Sequence, residues 1–194
     1  MTRRTQRERT DSTRTALIDA TLDLLDEVGW AATTSVAVCD RAGLTRGALV
    51  HHFGDLPNLL AESLDAHYAR LAEQAHVDDL PSTMAEVTRL TWATIDQGRF
   101  KIVIEAWLAA ANDPQLGQAL APVIARFAKL VDVDATGLGH DESTEALFLT
   151  IRETMLGLAL GRATAGGPLP HEHLVVDHLI SLAHDDDSRT GGTR

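Results

Sequence analysis

Residues 33–53, TTSVAVCDRAGLTRGALVHHF, constrain the fold of this chain more than any other stretch. Thr33 and Thr34 offer an N-cap for a first short helix, and Thr45 offers one for a second, because threonine is of a residue type that caps helix N-termini. Each cap precedes a short run of apolar residues at helical spacing. Gly43 lies between the two runs, where a glycine can take the positive φ of a tight turn. The stretch therefore predicts two short helices joined by a turn, the helix-turn-helix arrangement, whose second helix enters the major groove of DNA.

Helical spacing also dominates the rest of the sequence. An apolar stripe runs from Leu17 to a candidate C-cap at Gly29, and Asp55 can cap a long helix with a proline in its first turn. Residues 145–165 are apolar on nearly every side, and a last helix covers about 171–183. No stretch alternates as a β-strand does. The predicted fold is all-α with about nine helices: an N-terminal helix-turn-helix head of three helices and a larger C-terminal helical domain.

Four segments follow from this pattern. Residues 1–10 are polar and basic and are predicted to form a flexible arm. Residues 11–55 are predicted to form the helix-turn-helix domain, and residues 56–184 a second helical domain. The charged residues 185–194 are predicted to be a disordered tail.

The charge is unevenly distributed along the chain. The net charge is −11, which by itself argues against a nucleic-acid partner. Residues 1–55, however, carry seven basic and eight acidic side chains, whereas residues 56–194 carry ten and twenty. The single cysteine, Cys39, cannot form an internal disulfide, and no apolar run reaches the roughly 18–20 residues that span a bilayer. These features predict a cytoplasmic protein without a membrane segment.

The second short helix would expose residues suited to DNA. Arg46 near its start can reach a base edge, with guanine as the preferred base, while hydroxyl groups and helix N-terminal amides suit phosphate oxygens. Gly47 and Ala48 are small enough for close approach of the backbone. The predicted DNA-contacting residues are Thr33, Thr34, Thr45, Arg46, Gly47, Ala48, Val50, His51 and His52. The predicted core-facing residues of the unit are Val36, Val38, Ala42, Leu44, Leu49 and Phe53.

The stretch from Leu17 to Leu60 resembles the TetR (tetracycline-repressor) family. After the amphipathic helix, the resemblance is carried by Gly29-Trp30, Thr33-Thr34, Val38-Cys39, Ala42-Gly43-Leu44-Thr45-Arg46-Gly47, Leu49, His52-Phe53 and Leu59-Leu60. The family resemblance implies a homodimeric transcriptional regulator, by family habit a repressor, on a palindromic double-stranded DNA operator. It also implies that residues 56–184 form the ligand-binding and dimerisation domain, and that a small apolar or amphipathic effector binds among the middle helices and releases the protein from DNA.

Two positions depart from the family pattern. Val50 stands where the family usually has Tyr, and Leu56 stands where it usually has Lys; both family residues normally touch phosphate. Their loss predicts weaker DNA binding with a flatter salt dependence, assisted by the Arg3–Arg9 arm in the minor groove. The alternative function is a helical small-molecule-binding protein whose DNA binding is weakened or lost.

The predicted effector pocket draws on large apolar side chains and a few polar ones in the middle and late helices. The candidates are Trp92, Ile95, Phe100, Trp107, Phe127, Thr150, Arg152 and Met155, with Glu105 as a further polar candidate. For each of them, ordinary core packing or an ion pair is the competing interpretation. Residues 145–165 and 171–183 are the predicted dimer helices, and Gly157 and Gly161 would permit close helix approach.

No motif for catalysis or for a cofactor is present, so the chain is predicted not to be an enzyme and to need no cofactor. The nine histidines do not form a metal-binding pattern; only His173 and Asp177 have a spacing that could chelate. No metal site is predicted. Burial should keep Cys39 inert, with redox sensing as the minor alternative.

Overall fold

The computed structural model describes residues 6–74, 82–96, 100–130 and 141–190, and these ranges contain nine α-helices and no β-strand. The helices are α1 Gln6–Val28, α2 Ser35–Ala42, α3 Arg46–Phe53, α4 Leu56–Gln74, α5 Met84–Asp96, α6 Lys101–Asn112, α7 Pro114–Leu130, α8 Glu142–Ala165 and α9 Glu172–Thr190. A 3₁₀ turn, Trp30–Ala32, lies between α1 and α2. The all-α prediction is confirmed. Within the described ranges, none of the helices is long and apolar enough to cross a membrane.

The chain forms two compact units whose boundaries fall inside helices. The first unit comprises residues 1–70 and 105–125, and the second comprises residues 71–104 and 126–194. The first unit is larger than the predicted 11–55 domain because most of α4, the second half of α6 and most of α7 belong to it. Dividing the sequence into consecutive segments cannot show that α6 and α7 join the first unit, because they follow the helix-turn-helix by about fifty residues.

The helix-turn-helix head has its own apolar core, formed by the residues that α1, α2, α3 and the start of α4 turn toward one another. The core residues are Leu17, Ala20, Leu24, Val38, Cys39, Leu49, Phe53 and Leu59. Ala42 and Leu44 are partly buried against it, as predicted. Val36 was predicted to face this core, but its side chain is 55% exposed. Val38 and Cys39 occupy the inner face of α2, and a residue two positions earlier points away from that face.

The predicted N-terminal arm overlaps the first helix. α1 begins at Gln6, so that residues 6–10 of the predicted flexible arm are helical, and residues 1–5 lie outside the described residues.

The second unit is organised around α5, α8 and α9. Asp187 of α9 accepts hydrogen bonds from the amides of Met84 and Ala85 at 2.7 and 3.1 Å, and thereby caps α5. Asp186 is only 3% exposed and accepts a hydrogen bond from the Thr144 hydroxyl. The sequence predicted a last helix ending near 183 and a disordered tail over 185–194. α9 instead continues to Thr190, because these aspartates bind groups on α5 and α8.

Helix α8, which is apolar on nearly every side in sequence, has one buried and one exposed face in the single chain. Phe148, Ile151, Met155 and Ala159 are buried, whereas Leu149 and Leu160 are 37% and 40% exposed. Gly161 was proposed to admit a second copy of the chain. A Cβ at this position would instead lie 2.6 Å from the Leu169 side chain of the same chain.

Candidate nucleic-acid interface

Helix α3 has sharply different faces. Leu49 and Phe53 are buried in the core of the head, whereas Arg46, Gly47, Val50 and His51 are exposed. Val50 is 58% exposed, the highest exposure of any large apolar side chain on α3. Because residues four positions apart share a helix face, Arg46 and Val50 project on the same side. The predicted outward face is therefore present, and its contact with DNA stays a prediction.

Two threonines fix the starts of the helix-turn-helix. The Thr34 hydroxyl accepts a hydrogen bond from the Ala37 amide, and the Thr45 hydroxyl accepts one from the Ala48 amide, both at 3.2 Å. Gly43, between the two helices, has a left-handed φ of 64°. The predicted caps and turn are confirmed. Because each capping hydroxyl accepts through its oxygen, its proton can still be donated to an anion.

Three predicted DNA contacts are less accessible than expected. The Thr33 side chain is 4% exposed, and its hydroxyl donates to the Gly29 carbonyl oxygen at 2.9 Å, so this side chain is directed into the head rather than toward a ligand. Ala48 and His52 are half-buried. Adjacent threonines at a helix start look alike in sequence, and only the fold decides which of them points inward.

Arg14 of α1 binds the end of α3, which sequence reasoning missed. Its guanidinium donates to the His52 carbonyl oxygen at 2.8 Å, stacks 4.5 Å from the centre of the Phe53 ring, and pairs with Glu62 of α4. Because Arg14 lies three residues before the buried Leu17, it projects from the inner face of α1. The signal in the sequence that could have revealed this role is the position of Arg14, a basic residue on the apolar stripe of α1.

The connection between α1 and α2 is tied to α6. Gly29 has φ 78° and ψ 178°, a conformation that is essentially restricted to glycine. The amide of Trp30 donates a hydrogen bond of 2.9 Å to the Glu105 carboxylate. Glu105 was considered for the effector pocket; the structure places its carboxylate against the head instead.

Two residues singled out in the sequence are explained by the core of the head. Leu56, at the position where a lysine was expected from the family pattern, packs partly buried against that core. Cys39 is buried, and desolvation raises the pKa of its thiol, so that it stays protonated and unreactive near neutral pH.

Three comparisons with known proteins agree with this geometry. The model of the bacterial regulatory proteins, tetR family, matches residues 17–62. The HTH-type transcriptional regulator CymR of Pseudomonas putida is 31% identical over 172 residues, covering 81% of this chain and 83% of CymR. The chain belongs to the TetR family.

Solved structures share the fold of this TetR-family chain. A transcriptional regulator from Rhodococcus sp. Rha1 superposes with a TM-score of 0.67 at 21% identity, covering 89% of this chain and 96% of that one. The multidrug binding protein EbrR, complexed with imidazole, has a TM-score of 0.62 at 22% identity, covering 86% and 93%.

The effector candidates of this TetR-family chain fall into different settings. Ile95, Phe100 and Met155 are buried in the second unit, where the ring centres of Phe100 and Phe127 are 6.3 Å apart. Trp107 belongs to the first unit, where its indole N–H donates to the Tyr68 hydroxyl at 3.3 Å.

Three further effector candidates, Trp92, Thr150 and Arg152, contact groups on their own helix or on another helix of the second unit. The guanidinium of Arg162 lies 4.8 Å from the centre of the Trp92 ring. Thr150 is exposed and donates to the Ala146 carbonyl oxygen, and Arg152 pairs with the adjacent Glu153 at 2.8 Å. The competing interpretation, core packing and local pairing, therefore describes several of these residues, and their part in effector binding stays a prediction.

Proposed function

We propose that this TetR-family regulator binds a palindromic operator as a homodimer and is released by a small apolar or amphipathic effector, acting as a repressor in the cytoplasm. The observation that carries the proposal is the exposed face of α3, where Arg46, Gly47, Val50 and His51 project from a helix anchored by Leu49 and Phe53. A short capped helix with one anchored and one exposed face fits the major groove.

The chemistry of this face assigns each residue a role. Arg46 donates to the O6 and N7 atoms of guanine, a bidentate pair that discriminates against other bases. The hydroxyls of Thr34 and Thr45 and the first amides of α3 bind phosphate oxygens. Gly47 and the half-buried Ala48 let the backbone approach closely, and Val50, His51 and His52 complete the surface.

The second copy of the chain is proposed to cover the exposed apolar side chains of the last two helices. Leu149 and Leu160 of α8 and Leu174 and Val175 of α9 are each between 37% and 58% exposed in the single chain. A two-fold pairing of both helices gives a four-helix bundle that buries this surface. A palindrome then requires two α3 helices about 34 Å apart, one turn of DNA.

The effector is proposed to bind in the second unit, around Trp92, Ile95, Phe100, Phe127 and Met155. Structures of the similarly folded EbrR were obtained with imidazole, proflavin and malachite green. Those ligands support a small-molecule effector for this chain, and the aromatic rings of this region suit apolar or aromatic compounds.

The test is a selection of bound sequences from a pool of random DNA duplexes, using the full chain. We expect enrichment of a palindrome whose half-sites are centred about one helical turn apart. Enrichment of an unsymmetrical sequence would contradict the dimer.

The absence of any enrichment in this selection would favour the alternative, a small-molecule-binding protein that has lost DNA binding. The observation that favours this second function is the pair of apolar residues, Val50 and Leu56, at positions that usually touch phosphate in the family.

A further inference from the structure

We propose that Glu105 of α6 is a positioning residue for DNA binding: its carboxylate holds the Trp30 amide and thereby the start of α2. The two residues are 75 positions apart, and the N–H donates to Oε2 over 2.9 Å. Both belong to the first unit. The inference rests on the proposed function. It adds to the residues needed for DNA binding one that lies outside the proposed DNA-contacting surface.

A continuous set of hydrogen bonds leads from Glu105 to α2. The Trp30 carbonyl oxygen accepts from the Thr33 amide at 3.1 Å, and the Ala32 carbonyl oxygen accepts from the Thr34 amide at 3.0 Å. Thr34 then caps α2, and its carbonyl oxygen accepts the first helical bond, from Val38, at 2.9 Å. The position of the Trp30 amide therefore determines where the proposed phosphate-binding N-terminus of α2 lies.

Gly29 gives the backbone at this point an unusual conformation. Gly29 adopts a conformation that L-residues with a Cβ rarely occupy, and a Cβ there would lie 3.3 Å from Glu105 Oε2. A glycine permits many conformations, so a specific partner is needed to select one of them. The Thr33 hydroxyl, which donates to the Gly29 carbonyl oxygen, and the Glu105 carboxylate hold the two sides of this connection.

The charge of Glu105 makes the argument testable. A carboxylate in a DNA-binding head repels the phosphate backbone, so removing it should strengthen binding if charge alone mattered. If the hydrogen bond positions α2, removing the acceptor should weaken binding. Glu105→Ala and Glu105→Gln change the charge equally, and only glutamine retains an oxygen that accepts from Trp30.

The experiment measures the affinity of the full chain for the duplex obtained by selection. We expect Glu105→Ala to bind about tenfold more weakly than the wild type, and Glu105→Gln to stay within about threefold of it. Glu73→Ala, which removes an equal charge from an exposed position of α4 in the second unit, serves as the control and should bind as the wild type does.

A second measurement follows the hydrogen bond itself. The chain has three tryptophans, so ¹⁵N-tryptophan labelling gives three backbone amide signals. We expect amide exchange of Trp30 to accelerate about tenfold in Glu105→Ala and to stay slow in Glu105→Gln, while Trp92 in the second unit is unchanged.

The inference is overturned if Glu105→Ala binds the duplex as tightly as the wild type, if Glu105→Gln is as weak as the alanine variant, or if the Trp30 amide exchanges equally in all three proteins. If the wild type selects no duplex, the proposed function fails first and the inference with it. A selected duplex that the alanine variant binds normally removes the inference alone.

Discussion

Arg46 is the residue whose side chain most directly links the sequence to a DNA function. It is the first residue of α3, directly after the Thr45 cap, and it is exposed. Another cation of the helix-turn-helix, Arg41, donates two hydrogen bonds to Glu27 at 2.9 and 2.6 Å, and this pairing lowers the pKa of the Glu27 carboxyl. Arg46, which lies on α3, is therefore the candidate for reading a base, whereas Arg41 is engaged by Glu27 within the head.

Replacing Arg46 with alanine should reduce operator affinity by a factor of about 10–100 and relax selectivity at one base position, since a bidentate guanine contact is worth about 1–3 kcal/mol. Repeating the duplex selection with this variant measures both effects. Arg126→Ala, which removes an equal charge from an exposed position of α7 in the second unit, should leave them unchanged. Retained selectivity at every position in the Arg46 variant would exclude a base contact.

Leu56→Lys should strengthen DNA binding, because it restores the cation that the family usually places at the start of the fourth helix. Each added phosphate contact should steepen the log–log dependence of affinity on salt by about 0.9. Titrations across salt concentration compare the variant with the wild type, whose slope we expect to be shallower than about −8. An unchanged slope in the variant would show that this position does not approach phosphate.

At the scale of helices, side chains distant in sequence determine where elements begin and end. Asp187 caps α5, and the paired side chains of Arg162 and Glu172 join the end of α8 to the start of α9, with the Glu172 carboxylate also accepting from the Leu169 amide at 2.9 Å. These side chains are charged, so the sequence alone suggests that they face solvent.

Asp187→Ala should lower the free energy of unfolding by about 1 kcal/mol, since it removes the cap from the first turn of α5. Chemical denaturation of the full chain measures the change. Asp185→Ala, at an exposed position two residues earlier, should have little effect. Equal stability of the two variants would mean that the tail contributes nothing, as its composition predicted.

The Glu172 carboxylate should make stability depend on pH. Hydrogen bonding to Arg162 lowers the pKa of this carboxyl in the folded chain, despite its burial. Its stabilising contribution is therefore present above the ordinary glutamate pKa of about 4.3 and is lost as the pH falls through the folded value. Glu172→Gln should reduce stability at pH 7 and flatten the acid limb of a stability–pH curve. An acid limb with the wild-type slope would contradict this.

At the scale of the whole molecule, the proposed function requires two copies of the chain. The exposed leucines of α8 and α9 lie in the unit that does not carry the helix-turn-helix, so the proposed dimer can be disrupted by substitutions outside the DNA-binding unit.

Leu160→Glu should convert the dimer to a monomer in sedimentation velocity and weaken operator binding, because a charge in an apolar interface lacks a partner. Leu108→Glu is the matched control, since Leu108 is 52% exposed but belongs to the first unit, and this variant should remain dimeric. Monomeric behaviour of the wild type itself would refute the proposed assembly.

The sequence alone determined the all-α fold and the helix-turn-helix, because caps, turn and apolar spacing act between residues within four positions of each other. Gly43 and Thr45 were assigned correctly for this reason, and the N-cap of α2 was narrowed to Thr33 or Thr34. Only the tertiary structure decided that Arg14 binds the end of α3 and that Asp187 caps α5. These contacts join residues separated by 38 and 103 positions. Local pattern does not encode the partner of a polar side chain when that partner is supplied by another helix.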